Sequence, residues 1–202
     1  MSPLLVTILV VASTILTVAS VIPYLYEIVK GTTKPRIVSW FVWTVLTAIA
    51  AVASLSDGQY PTAILLFAAA IETGLVVILG WKHGDRKIET LDIVCLIGAV
   101  VGVVLWQVFN SPAIAVISTV SIDLVGGIPT LIHAYKKPHE ETALTFFLAF
   151  AGGFLTLLAV SDWRITSVAY PIYLVVINLV FTALVLVGQR RKRIRTHDKG
   201  AL

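Results

Sequence analysis

Val21-Ile22-Pro23-Tyr24-Leu25, followed by Lys30 and by Ser39-Trp40-Phe41, returns 106 positions later as Gly127-Ile128-Pro129-Thr130-Leu131, Lys136 and Thr145-Phe146-Phe147. At this offset Ile22, Pro23, Leu25, Lys30, Phe41 and Ala53 coincide with Ile128, Pro129, Leu131, Lys136, Phe147 and Ala159. The order of features repeats too: a proline, a basic loop, a hydroxyl-aromatic pair, an acidic turn at Asp57 and at Asp162, then Tyr60-Pro61 and Tyr170-Pro171. A segment carried twice puts a pseudo-twofold axis through a molecule, and in membrane folds of this kind the solute path runs between the two copies.

The residues around these stretches set the solvent. The 202-residue chain is 58% hydrophobic and 13% charged, with a mean hydropathy of +0.95, against about 25% charge in a soluble domain. Apolar runs extend over 3–29, 36–56, 60–80, 91–109, 112–135, 141–160 and 167–188, each near the ~20 residues that cross a ~30 Å hydrocarbon core. Backbone polar groups in lipid must be satisfied within their own segment, and the runs are far longer than the ~10 residues of a barrel strand, so they predict helices. Two odd-numbered triplets keep the same orientation only if one further helix intervenes. The predicted fold is therefore an all-α polytopic membrane protein whose seven transmembrane helices form two parallel three-helix repeats joined by a linker helix (3+1+3). Residues 1–80 would be the first triple-helix bundle, 81–110 the loop and linker helix, 111–189 the second bundle and 190–202 a basic tail.

The first run lacks a basic n-region at Met1-Ser2-Pro3 and continues without a cleavage box, so it is expected to be a helix and not a signal peptide. Cys95, the single cysteine, falls inside the fourth run and reads as a small apolar residue.

Charge predicts orientation. Fourteen of the fifteen basic residues fall in the 30–36, 82–87 and 136–137 loops and in the tail from Arg190, and the opposite loops carry only Arg164. The positive-inside rule then places the N-terminus outside and the C-terminus in the cytosol. An integral, multi-pass protein of the plasma membrane is expected, with the bilayer as its first partner and no nucleic acid. A homo-oligomer stays open.

A proline inside a helix removes one hydrogen bond and presses its ring on the preceding turn, giving a kink able to act as a hinge. Pro23 and Pro129 are the candidate hinge or gate residues. Ionisable groups at membrane depth are costly and commonly face a cavity or a partner. Glu72 lies midway along the third run and Asn178 stands at the equivalent place of the seventh, each 49 residues after its proline. Asp123 is a second acid at membrane depth, with Thr17 as its counterpart. Trp40 and Phe146 align as cavity-lining candidates, and Ser54, opposite Val160, is the polar residue on the outer side. Stacking on these rings would suit a sugar or an organic cation. Glu27 and His133 also align, near the basic ends, where solvation or gate hydrogen bonding is expected. His83, Asp85 and Glu89 read as a solvated loop cluster.

The three-plus-one-plus-three plan, the outside N-terminus and the prolines of the first and fifth runs resemble the PQ-loop superfamily, which includes the SWEET sugar transporters, the half-length SemiSWEETs and the cystinosin-type transporters. In that family the helix proline is commonly followed by Gln and, sixteen residues on, by Ser. Pro23 to Ser39 and Pro129 to Thr145 keep the spacing, whereas Tyr24 and Thr130 replace the Gln. Gly152-Gly153 stand in the sixth run, where plant-type SWEETs have proline. The resemblance implies alternating access by two rocking bundles, with Pro23 and Pro129 in the gates. It also implies a central site at Glu72 and Asn178, where SWEETs bind solute hydroxyls with a pair of Asn. By likeness to cystinosin-type proteins, Glu72 and Asp123 are proton-coupling candidates.

Glu in place of Asn adds a group that titrates. Glu72 is read either as a contact to solute or proton, or as a structural hydrogen bond to a neighbouring helix; Asp123 either as a proton site or as a group exposed near the outer mouth. The function expected is transport of a small polar solute, a sugar or similar. The alternatives are a proton-coupled amino-acid or organic-cation carrier and a non-transporting seven-helix receptor or scaffold. A vitamin carrier of the nicotinamide-riboside type shares the helix plan but would need more polar residues in the third and seventh runs. No nucleophile triad, HExxH, CxxC or glycine-rich phosphate loop occurs, so neither an enzyme nor a metal or other cofactor is expected.

Overall fold

The computed structural model describes residues 1–56, 60–108, 112–160 and 163–200, which are helical throughout apart from short connections. The helices are α1 (Pro3–Ala19), α2 (Val21–Val29), α3 (Ile37–Ser56), α4 (Tyr60–Gly80), α5 (Thr90–Val108), α6 (Pro112–Lys136), α7 (Ala143–Ala159) and α8 (Ile165–Gly200). A 3₁₀ turn at Pro138–Glu140 precedes α7. Among the described residues there is no strand, only one isolated bridge between Arg36 and Asp85. Each predicted run contains a helix, α1 and α2 being two parts of the first.

Local chemistry explains the ends and the break. Ser2 caps α1 by accepting the Leu5 N–H at 3.3 Å, with Pro3 in the first turn, where its missing N–H costs nothing. Pro23 offers no N–H to the Ala19 carbonyl, and the helix yields one residue later. At Ser20 the backbone N–H and the hydroxyl both donate to the Thr17 carbonyl, at 3.2 and 2.7 Å, and tighten the turn. Ser20 itself stays helical at φ −61°, ψ −31°, so the junction is a bend and not a loop. Pro129, by contrast, lies inside an uninterrupted α6.

The last helix differs from expectation at its end. The apolar run stops at 188 but α8 continues through the basic segment to Gly200. Arg, Lys and Gln are good helix formers, and cations complement the negative end of the helix dipole.

Among the described residues, Pro3–Val29, Ile117–Lys136 and Ser167–Arg191 are long and apolar enough to cross a membrane; Ile37–Ala48, Ala69–Gly80 and Ala143–Ala159 are shorter apolar helices. Leu4, Ile8, Ile15, Ile78 and Val108 point large side chains outward and are more than half exposed. An exposed apolar surface of this breadth suits hydrocarbon and not water.

The chain divides into two compact units. Unit 1 comprises Met1–Glu27 and Leu131–Leu202, with α7 packed on both α1 and α8. Two adjacent glycines permit that placement: a Cβ on Gly152 would lie 2.5 Å from Thr17 Oγ1 on α1, and one on Gly153 would lie 3.3 Å from Leu174 Cβ on α8. Small residues let helix backbones approach closely where the solvent supplies no hydrophobic drive. Tyr24, Phe146, Phe181 and Val185 form its interior.

Unit 2 comprises Ile28–Thr130, with α3 packed on α4 and on α5. Val42 and Ile122 are buried together with Leu46 against them, and the Thr44 hydroxyl donates to Thr73 at 3.1 Å across α3 and α4. These units are defined by packing, whereas the triplets above are defined by sequence repeat. α1 carries the first copy of the repeat and packs with helices that carry the second.

Candidate functional site

In unit 2, Glu72 is half-buried in the middle of α4, a 21-residue helix with no other charged side chain. Within this unit no described residue hydrogen-bonds or ion-pairs with it. Its neighbour Thr73 is turned to α3, where it meets Thr44. Trp40 is buried and meets Trp43 edge to face at 5.1 Å, and Trp43 lies beside Gly126 and Gly127 of α6. Asp123 is half-buried in α6, two turns from the buried Pro129. The Ser54 side chain lies outside the described residues.

In unit 1, Asn178 is half-buried and donates from its amide to the Leu174 carbonyl at 2.9 Å. Its carbonyl oxygen makes no hydrogen bond within the unit among the described residues. Phe146 is buried between rings, stacked on Phe181 at 4.5 Å and edge-on to Tyr24 at 6.3 Å. Pro23 occupies the first turn of α2, next to the bend. Glu72 and Asn178 thus belong to different units, as do Trp40 and Phe146.

The strongest polar arrangement in unit 1 is one that sequence reasoning missed. Glu141 immediately precedes Thr142, the residue at the N-terminal boundary of α7, and its side chain is fully buried. Tyr24 of α2 donates to Glu141 Oε2 at 2.7 Å. His133 Nε2 lies 3.9 Å from Glu141 Oε1 and 3.4 Å from Glu140 Oε2, and Glu140 also faces Lys137 at 3.5 Å. Thr142 donates to Glu27 Oε2 at 2.8 Å. Gln189 of α8 donates to the backbone carbonyls of Pro138 and Glu141, at 3.0 and 3.2 Å. The connection 137–142 is therefore tied to α2 by Tyr24 and Glu27 and to α8 by Gln189. Burial pushes the Glu141 carboxyl up to about 8; the Tyr24 hydrogen bond opposes the shift and the neighbouring Glu140 adds to it.

Two signals in the chain could have found this site. His139-Glu140-Glu141-Thr142 is an acidic insertion in an otherwise basic loop, and Tyr24 stands where the resembling family has Gln. Glu27 and His133, equivalent in the repeat, both serve this connection.

Unit 2 holds a second buried charge cluster, and here an expectation is corrected. Asp85 is not part of a solvated loop: Arg36 Nη1 meets its Oδ2 at 3.0 Å, and Arg36 Nη2 meets Asp92 Oδ2. Asp92, in the first turn of α5, also accepts the Glu89 N–H at 2.7 Å. Backbone bonds from Ile37 to Asp85 and from Asp85 to Pro35, at 3.1 and 2.9 Å, fasten the loop to the start of α3. A buried guanidinium needs more than one carboxylate to replace its hydration, and the second acid is close at hand. His83 and Glu89 remain exposed.

No family model, curated protein or solved structure matches this chain.

Proposed function

We propose that this protein is a membrane transporter of a small polar solute, a sugar or similar, working by alternating access between two homologous three-helix bundles. The observation that carries the reading is Glu72: a half-buried carboxyl in mid-helix that no described residue of its unit hydrogen-bonds or ion-pairs. Such a group is costly at membrane depth unless solute, proton or a facing cavity receives it. Asn178, at the equivalent position of the repeat, has a carbonyl acceptor that no described residue of unit 1 uses, which suits recognition of hydroxyls. Trp40 and Phe146 would form the aromatic walls, with Ser54 toward the outer side. On this reading the chain is a divergent PQ-loop protein, not an enzyme, of the plasma membrane, with the N-terminus outside and the basic end of α8 in the cytosol.

A second reading, a proton-coupled carrier of amino acids or organic cations, is favoured by the number of intramembrane acids, since Asp123 joins Glu72. Proteoliposome uptake of sugars, amino acids and organic cations, with and without a pH gradient, separates the two when wild type and Glu72→Gln are compared. Uptake without a gradient that survives Glu72→Gln supports the facilitator. Gradient-driven uptake that loses its proton dependence in Glu72→Gln supports the coupled carrier. Uptake of none of these solutes would overturn both.

A further inference from the structure

The Tyr24, His133, Glu140 and Glu141 cluster belongs to none of the solute-site residues. A carboxyl that is fully buried, has one oxygen held by a phenol and faces an imidazole with the other is built to exist in two charge states. A route to solvent accompanies it. Lys137 is half exposed at the surface, Glu140 is 12% exposed beneath it, His133 is 5% exposed and Glu141 is sealed, with successive polar atoms 3.5, 3.4 and 3.9 Å apart.

We propose that Glu141 is an exchangeable proton-binding site, loaded from solvent through Glu140 and His133, whose charge state controls how firmly the 137–142 connection holds α2 against α8. The transfer balances as follows. A protonated Glu140 gives its proton to His133 Nε2, in the tautomer that carries hydrogen on Nδ1. The resulting imidazolium turns slightly and passes the Nε2 proton to Glu141 Oε1. Glu140 is left ionised, Glu141 neutral and His133 neutral again. The same nitrogen faces both carboxyls, so one small ring movement serves for both steps.

The groups facing Glu141 are Tyr24 from α2, with Glu27 one turn on; His133 from α6; Glu140 and, through it, Lys137 from the connection; and neutral Gln189 from α8. Among the described residues, no cation meets the Glu141 carboxylate directly except a protonated His133. The neutral carboxyl is therefore the form that suits a closed connection, and burial places its proton affinity near the physiological range, at about 8. Ionisation puts an uncompensated charge inside the unit. Water or movement of the connection must then solvate it, which loosens the Tyr24 and Gln189 ties on either side. Use of this proton to drive transport rests on the transporter reading, but the site itself does not.

The test is infrared spectroscopy of the full chain in lipid nanodiscs, titrated from about pH 6 to about pH 10. Wild type is expected to show the carbonyl band of a buried carboxylic acid that disappears with a midpoint near 8, and Glu141→Gln is expected to lack that band. Absence of such a band, or the same band in Glu141→Gln, overturns the site. Tyr24→Phe keeps the carboxyl while removing the hydrogen bond that favours its ionised form, so its midpoint moves up; it also gives the answer if Glu141→Gln fails to fold, and an unmoved midpoint overturns the assignment. His133→Leu is expected to slow deuterium exchange of the band at least about tenfold, and an unchanged rate overturns the relay. Uptake is measured on the same preparations. The band without uptake sinks the transporter reading and leaves the proton site standing, whereas uptake without the band sinks the proton site alone.

Discussion

Arg36 and Glu141 are both charged-type residues withdrawn from solvent, and each has been accommodated differently. Arg36 keeps its charge because two carboxylates receive it. Arg36→Leu would strand Asp92, whose side chain is 1% exposed, and is expected to destabilise the protein by about 3–5 kcal/mol. Pairing it with Asp92→Leu should restore much of that loss, and thermal or denaturant unfolding of the two variants in detergent measures both. Glu141 instead favours its neutral form. Its carboxyl sits near 8 in the folded state against 4.5 for the ordinary group, so the folded chain binds the extra proton between these values. The stability it contributes is complete below about 4.5 and is lost as pH rises through about 8, a swing of roughly 3–6 kcal/mol. Melting followed across that window should slope downward in wild type and lose this slope in Glu141→Gln; equal slopes would exclude the assignment.

Elements show how a repeated sequence yields unequal structures. Pro23 and Pro129 are equivalent in the repeat, yet the helix is interrupted at Ser20 ahead of Pro23 and continues without a break through Pro129. The difference lies in the neighbours. Ser20 redirects both its donors to the Thr17 carbonyl, while the equivalent position near Pro129 holds Gly126-Gly127, packed beside Trp43. The break beside Pro23 makes the α1–α2 junction the more compliant of the two candidate hinges, so Pro23→Ala should reduce uptake several-fold more than Pro129→Ala; equal losses would place hinges in both helices. Packing of α7 rests on its paired glycines. Gly152→Leu drives a side chain into Thr17 and the Ser13 carbonyl and is expected to lower stability by at least about 2 kcal/mol, whereas Gly153→Ala asks for only a few tenths of an ångström and should cost less. Comparative melting of the two variants checks the order.

For the molecule as a whole, orientation is the prediction most directly carried by charge. A cysteine placed at Lys199 in a Cys95→Ala background should be shielded from an impermeant thiol reagent in intact cells and react after permeabilisation; labelling in intact cells would invert the topology. The helix positions were legible because each apolar run is far longer than a strand, so apolar length alone marks it. The candidate solute residues were legible as polar interruptions of those runs. The Glu141 cluster was not, because its members are spread over Tyr24, His133, Glu141 and Gln189 and meet only when α2, α6 and α8 converge on one connection.

The sequence by itself determined that the chain is helical and apolar, where its helices begin, and that Glu72, Asp123 and Asn178 interrupt them. These are properties of single segments, fixed by composition and spacing. Tertiary structure alone decided that α1 packs with α7 and α8, that Asp85 and Asp92 share Arg36, and that Glu141 is sealed beneath Tyr24. Burial and pairing depend on which distant side chains are brought within a few ångströms, and no local pattern encodes that distance.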